Sequence, residues 1–377
     1  MTDGPRQASD LHSSAETRST RWLKAARTAV TGVGAKIVPW IPAPAKRALT
    51  GVRSVVIDGN ELDATLRLML LGLQAVGVDG LVVDDDAATS RTMMRQSALE
   101  LPGPQIHVEC TDLVLPGPAG DIAARHYRPP GAESAAPLLV YYHGGGWSLG
   151  DLDTYDALCR LTCRDARVHV LSVDYRLAPE HPFPAALDDA YAAFLWACEH
   201  AAELGARPGC VAVGGDSAGG NLAAVVSHLA RDAAEKTGGP VPALQWLVYP
   251  RTDFTAQTRS LGLFARGFLL TRRDTEWFSE WYLTGSGIEP SDVRVSPLLA
   301  ERLDGLAPAL IAIAGFDPLR DEGEAYAAAL RAAGTTVDLR CFGSLTHGFA
   351  NLFPLGGGSD AGARELISAL RAHLSRA

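Results

Sequence analysis

From about residue 137 onward the chain repeats one pattern: a short apolar run, a break at Gly or Pro, then apolar positions at helical spacing. Runs near 137–142, 168–173, 210–214, 244–249, 309–314 and 336–342 predict buried strands, with helical patterns between most of them and a last helix at 361–375. Such alternation predicts an α/β fold with a mainly parallel central sheet covered on both faces. Ahead of it, 106–115 and 121–128 read as a strand pair about the turn Pro116-Gly117-Pro118-Ala119-Gly120. Two helices are expected earlier still. Leu62, Leu66, Leu70, Leu73 and Val76 recur at helical spacing, and Asp84-Asp85-Asp86 opens a helix that runs through Leu99 and stops at Pro102-Gly103-Pro104.

The pattern breaks at 251–300, a segment too long for a plain crossover. Thr271-Arg272-Arg273-Asp274 reads as a helix cap, and Trp277, Phe278, Trp281 and Tyr282 form an aromatic stripe behind it. The stripe is read first as packing. Its place beyond a strand's C-terminal end, where α/β sheets put ligands, makes substrate lining the alternative. The expected organisation is a basic extension at 1–57, cap helices at 58–104, a core at 105–250 and 301–377, and a cap insertion at 251–300.

Charge changes this picture only at the front. Residues 1–57 carry nine Lys or Arg against three acidic residues, which leaves −15 on the rest of a chain whose net charge is −9. The apolar residues among them suggest either packing on the acidic body or an amphipathic segment lying weakly on an anionic membrane surface. Gly32, Gly34, Pro39, Pro42 and Pro44 interrupt any long helix and favour packing. The net charge argues against nucleic acid as a partner. No apolar stretch is long enough to span a bilayer, and no secretory signal is evident. The six cysteines form no C-x-x-C pair, and no His or acidic residue completes a metal set around Cys159 and Cys163. The expectation is a cytoplasmic protein with reduced thiols and no metal.

Candidate chemistry starts at Gly214–Gly220. An apolar run ending at Val213 precedes it, and Leu222, Val225, Val226 and Leu229 follow at helical spacing. Strand, Gly-flanked turn and helix give G-x-S-x-G the context of a nucleophile elbow, with Ser217 exposed and the Ala218 N–H aimed from a helix start. A Gly-rich turn that merely contains Ser is the alternative. His143-Gly144-Gly145-Gly146-Trp147 follows another apolar run, and three successive glycines let bare N–H groups approach a ligand. Neither the dinucleotide nor the P-loop spacing fits, so a cradle for a carbonyl oxyanion fits better. Asp317, ahead of Pro318, reads as an acid beyond a strand end or as a helix cap, with Asp321 and Glu322 as rival acids. His347 lies in a Gly-flanked loop between the last strand and the last helix. His143 is expected to position the glycine loop.

Five motifs then occur in order: H-G-G-G-W, Asp174-Tyr175-Arg176-Leu177-Ala178-Pro179-Glu180-His181-Pro182, G-D-S-A-G, the stretch from Asp317 to Gly323, and His347-Gly348-Phe349. Over roughly residues 60–375 the chain resembles the bacterial hormone-sensitive-lipase family of α/β-hydrolase esterases, and looks most like its mycobacterial and actinobacterial members. The first 57 residues fall outside the family pattern. The resemblance implies an α/β-hydrolase fold with a helical cap, Ser217 as nucleophile, Asp317 as acid, His347 as base, and oxyanion donors at Gly145, Gly146 and Ala218. It implies a small ester of short to medium acyl chain as substrate and no cofactor; a homodimer is an assembly to test. An amidase or acyl-peptide hydrolase uses the same triad. A ligand-binding protein on an inactive scaffold is the further rival, disfavoured because acid and base are both present.

Overall fold

The computed structural model describes residues 37–51, 54–83, 85–101, 103–131 and 135–376. Residues 1–36 of the basic extension, Asp84 and Pro102 lie outside the described residues. A 3-10 turn at Val38–Trp40 and helix α1 (Ala43–Leu49) come first, then a two-stranded hairpin of β1 (Val56–Ile57) and β2 (Asn60–Glu61). Helices α2 (Ala64–Ala75) and α3 (Ala87–Glu100) follow. Val38 and Lys46 are buried, and the Lys46 amine donates to Thr65 Oγ1 on α2 at 3.0 Å. Ile37, Trp40 and Leu49 remain exposed.

The remaining strands are β3 (Glu109–Gly117), β4 (Gly120–Arg128), β5 (Ala136–Tyr142), β6 (His169–Asp174), β7 (Ala206–Asp216), β8 (Gln245–Val248), β9 (Ala309–Phe316) and β10 (Val337–Thr346). They form one sheet in the order β10-β9-β8-β7-β5-β6-β4-β3, parallel from β10 to β6, with β4 running antiparallel to both neighbours. Helices α4 (Asp156–Ala166), α5 (Ala185–His200), α6 (Ala218–Thr237), α9 (Arg320–Ala332) and α10 (Gly357–Leu374) are the crossovers and the last helix. The short α7 (Arg259–Leu263) and α8 (Arg272–Leu283) belong to the long segment after β8.

The continuous apolar run of β5 has a simple cause: both faces of the strand are covered. Leu138, Val140 and Tyr142 join one core with Phe194 of α5, Leu222 of α6 and Tyr326 of α9. Leu139 and Tyr141 point the other way, into a core with Leu66 of α2, Leu161 of α4 and Leu366 of α10.

Several boundaries differ from the sequence pattern. The hairpin between β3 and β4 is tighter than expected, because Gly117 pairs with Gly120 and only Pro118 and Ala119 are left as loop. Pro116 is tolerated inside β3 because that strand is at the sheet edge. Strand β7 begins at Ala206, ahead of the apolar run. Helix α3 begins at Ala87, where the Asp86 carboxylate accepts the Thr89 N–H at 2.7 Å. Leu62 lies before α2 and is buried in the second core. Among the described residues, no helix is long and apolar enough to cross a membrane.

Candidate active site

Strand β7 ends at Asp216 and α6 starts at Ala218, so Ser217 alone makes the turn, with φ +56° and ψ −115°. That left-handed backbone is costly for a residue with a side chain, and the surrounding packing has to enforce it. The two flanking glycines allow it. A Cβ on Gly219 would lie 1.8 Å from the Tyr142 carbonyl oxygen, and one on Gly215 would lie 2.2 Å from the same atom. The strand–turn–helix unit is thus pressed backbone to backbone on the end of β5, and G-x-S-x-G spacing follows from that contact. Ser217 N–H donates to Val248 O at 2.8 Å, which pins the turn to β8 as well.

His347 follows directly on β10, after a register irregularity between Phe342 and Thr346. Its Nε2 lies 2.9 Å from Ser217 Oγ and its Nδ1 lies 2.8 Å from Asp317 Oδ2. Asp317 sits just beyond β9 and is fully buried. Its other oxygen accepts the Leu319 N–H at 2.8 Å in a local turn, and α9 starts only at Arg320 with Leu319 as its N-cap, so Asp317 is not the helix cap that the sequence offered as the alternative. The rival acids are engaged elsewhere. Asp321 accepts Ser260 N–H and pairs with Arg320, while Glu322 accepts Thr252 N–H at 2.6 Å. Tyr249 packs its ring on His347, with centroids 4.6 Å apart.

The glycine loop lies beside this line. Gly145, Gly146 and Trp147 have φ of +106°, +61° and +56° in succession. Phe278 of α8 covers Gly146 so closely that a Cβ there would fall 2.1 Å from the ring. Trp147 stacks on Tyr282 at 4.6 Å and an interplanar angle of 6°. The aromatic stripe therefore divides: Phe278 and Tyr282 are buried against the loop, and Trp277 and Trp281 are half-buried. His143 is buried, with Nδ1 2.8 Å from Gly144 O, and burial pushes its imidazole down to about 4, so it is neutral at neutral pH. Tyr175 hydroxyl donates to His143 O at 2.7 Å, and Ala178 N–H donates to Trp147 O at 2.9 Å. The Arg176 guanidinium and Asp189 pair at 2.8 Å behind them. Within the motif from Asp174 to Pro182, residues 175–178 brace the glycine loop.

Beneath the turn, Asp216 joins three segments. Its Oδ1 accepts the Tyr141 hydroxyl at 2.6 Å and the Gly144 N–H at 2.9 Å, and its Oδ2 accepts Asn351 Nδ2 at 2.9 Å. The sequence pattern did not single out Asn351 or Tyr249. The one signal for Asn351 is a polar residue four positions after His347; Tyr249 closes an apolar strand run and reads as core.

The arrangement brings a hydroxyl, an imidazole and a buried carboxylate into one line beside glycine amides and a helix start. A profile of the α/β-hydrolase fold family matches residues 139–351. The chain belongs to that family, in its hormone-sensitive-lipase branch. Carboxylic ester hydrolase LipN of Mycobacterium tuberculosis is 70% identical over 94% of each chain. Ethyl acetate hydrolase of Pseudomonas putida is 38% identical over 77% of this chain and 91% of its own. Among solved structures, the thermostable carboxylesterase EstE1 from a metagenomic library superposes with a TM-score of 0.71 and 41% identity, over 77% of this chain and 98% of that one. The order Ser217, Asp317, His347 along the chain is the order in which α/β-hydrolases present nucleophile, acid and base.

Proposed function

We propose that this chain hydrolyses short- to medium-chain carboxylic esters through an acyl-enzyme on Ser217. It is a serine-type carboxylic ester hydrolase; the residue roles and the acyl range are the proposal. One observation carries the roles: contacts of 2.9 and 2.8 Å lead from Ser217 Oγ through both His347 nitrogens to Asp317. With Nδ1–H donated to Asp317, Nε2 is free to take the hydroxyl proton as Oγ bonds the ester carbonyl carbon. The carbonyl electron pair moves onto oxygen, which the N–H groups of Gly145, Gly146 and Ala218 hold. Collapse expels the alkoxide, and His347 returns the proton to it as the alcohol leaves. Water then gives a proton to Nε2 and attacks the acyl carbon, and collapse releases the acid and restores Ser217. Residues 58–104 and 251–300 act as a cap over this site. Phe278 over Gly146 and Leu269 against Gly348 crowd it, which supports short acyl chains. The name of the Pseudomonas putida relative, an ethyl acetate hydrolase, points the same way.

The test is a series of p-nitrophenyl esters from acetate to palmitate, with matching anilides. Catalytic efficiency should peak between acetate and octanoate, and anilides should react far more slowly. A peak at palmitate reverses the acyl assignment, and anilides faster than esters reverse the bond assignment. Ser217→Ala should cost on the order of 10⁶ in kcat. Ester turnover that survives Ser217→Ala rules out the acyl-enzyme.

A further inference from the structure

We infer that Arg91, on helix α3, is a positioning residue that holds the oxyanion loop in its working conformation. The inference rests on the role just proposed for Gly145 and Gly146. Arg91 lies outside the stretch that the family profile matches, residues 139–351. Its guanidinium nevertheless reaches the loop. Arg91 Nε donates to Ser148 O at 2.6 Å, and Nη2 donates to Ala178 O at 2.7 Å. Ser148 and Ala178 are both fully buried.

The loop needs such an outside hold. Three successive left-handed residues end on Trp147, a bulky side chain for which that backbone is unfavourable. Within the loop, Ser148 and Leu149 N–H groups both donate to Gly145 O, at 3.1 and 2.8 Å. These bonds turn Gly145 O inward and close the loop on itself. They leave Ser148 O facing α3, where Arg91 receives it. One planar guanidinium thus ties the loop's last turn to the Ala178 strap that also takes Trp147 O.

Helix α3 is itself fixed. Leu81 and Val82 N–H, just ahead of it, donate to the buried Asp274 carboxylate at 3.0 and 2.9 Å, and the buried Ser90 Oγ donates to Asp86 O at 2.8 Å and accepts Val83 N–H at 2.9 Å. The remaining contact of Arg91, its pair with Glu180, is of another kind. The Glu180 side chain is 54% exposed, so its charge is solvated and the pair adds little. The two carbonyl bonds carry the effect.

The experiment compares Arg91→Ala, Arg91→Lys and Glu180→Gln, each titrated with a fluorophosphonate so that kcat is expressed per competent site. Arg91→Ala should lose about 10- to 100-fold in kcat while KM changes by less than about threefold, because a displaced donor weakens the transition state more than substrate binding. Arg91→Lys, whose ammonium lacks the planar fork that spans both carbonyls, should fall between. Millimolar guanidinium ion should restore part of the Arg91→Ala rate and leave the wild type unchanged. Glu180→Gln should stay within about twofold of wild type. A wild-type kcat per site in Arg91→Ala overturns the inference, as does a loss that appears wholly in KM. Where Arg91→Ala does not fold, a wild-type kcat in Arg91→Lys overturns it. Failure of the acyl-enzyme reading has a separate signature, a wild-type Ser217 that the fluorophosphonate does not label.

Discussion

The two sides of the glycine loop are held by different means. On the inner side, one buried carboxylate, Asp216, gathers Tyr141, Gly144 and Asn351, from the end of β5, the loop itself and the segment after His347. On the outer side, α3 and α8 meet the loop through an arginine, an aromatic face and ion pairs at the surface. Residues 81–82 join α8 through the Asp274 carboxylate, which accepts Leu81 and Val82 N–H at 3.0 and 2.9 Å and also caps α8. Buried polar clusters are strong when complete and expensive when broken, whereas exposed pairs can be lost at small cost. The inner side should therefore fix the geometry of catalysis, and most of the outer side should tune it.

Asp216 offers the sharpest way to break that contrast. Its partners are all donors, so the site suits an anionic acceptor, even though burial pushes its carboxyl above the usual range. Asp216→Ala leaves the Gly144 N–H, the Asn351 amide and the Tyr141 hydroxyl without their acceptor. Each such group costs about 1–3 kcal/mol when unpaired. The expected outcome is a fall of several kcal/mol in unfolding free energy together with a loss of about 10²-fold or more in kcat, because Gly144 adjoins the proposed oxyanion donors. Asp216→Asn, which keeps one acceptor oxygen, should be milder on both counts. Denaturant titration and ester kinetics on the same preparations check this. Wild-type turnover in a folded Asp216→Ala would place the control of the loop elsewhere.

Glu322 gives a second, smaller effect at the joint between the two sides. It lies on α9 and accepts Thr252 N–H at the start of the long segment after β8, with Arg251 Nε 3.7 Å away. Burial pushes its carboxyl up to about 7 from an ordinary 4.5. The folded chain then holds this proton more tightly than the unfolded chain does. The stabilisation is full below pH 4.5, shrinks as pH rises and is gone above pH 7. Over that window it amounts to about 3 kcal/mol. Glu322→Gln cannot titrate, so the gap in unfolding free energy between wild type and variant should move by this amount from pH 4.5 to 7. Parallel stability curves across the window would show that Glu322 keeps its charge when folded.

The inner side was also the side most legible in the sequence. Strands β5, β8 and β9 are apolar runs bounded by Gly or Pro, and Ser217, His347 and the glycine loop stand at fixed offsets from strand ends. The backbone contact of Gly215 and Gly219 with β5 imposes a local spacing, and local spacing can be read in a sequence. Asp317 needed the motif as well, because a carboxylate before Pro reads equally as a helix cap, and only the folded chain shows α9 starting beyond it, at Arg320. What could not be read depends on contacts between distant segments. Arg91 meets Ser148 across 57 positions, Asn351 meets Asp216 across 135, and Leu81 meets Asp274 across 193. No periodicity marks such partners, since a polar residue on a helix face looks the same whether water or a buried carbonyl receives it. The early start of β7 was hidden for a related reason: Arg207, Pro208 and Gly209 break the apolar pattern although the backbone already runs as a strand.

Arg95 gives the smallest effect and the most discriminating one. It lies one turn beyond Arg91 on α3, and its guanidinium pairs with Asp151 and Asp153. All three side chains are between 29% and 45% exposed, so water and salt screen them. Asp151 also keeps the Thr154 N–H at 2.7 Å, and thus retains a donor when Arg95 is removed. Arg95→Ala should cost less than about 1 kcal/mol in stability, less still in high salt, and should leave kcat within about twofold. Unfolding curves at low and high salt, with ester kinetics alongside, read both quantities. Equal losses of kcat in Arg95→Ala and Arg91→Ala would mean that the seating of α3 as a whole governs the loop. A loss confined to Arg91→Ala assigns the control to the two bonds on Ser148 and Ala178, and makes this arginine the one part of the outer side that acts like the inner.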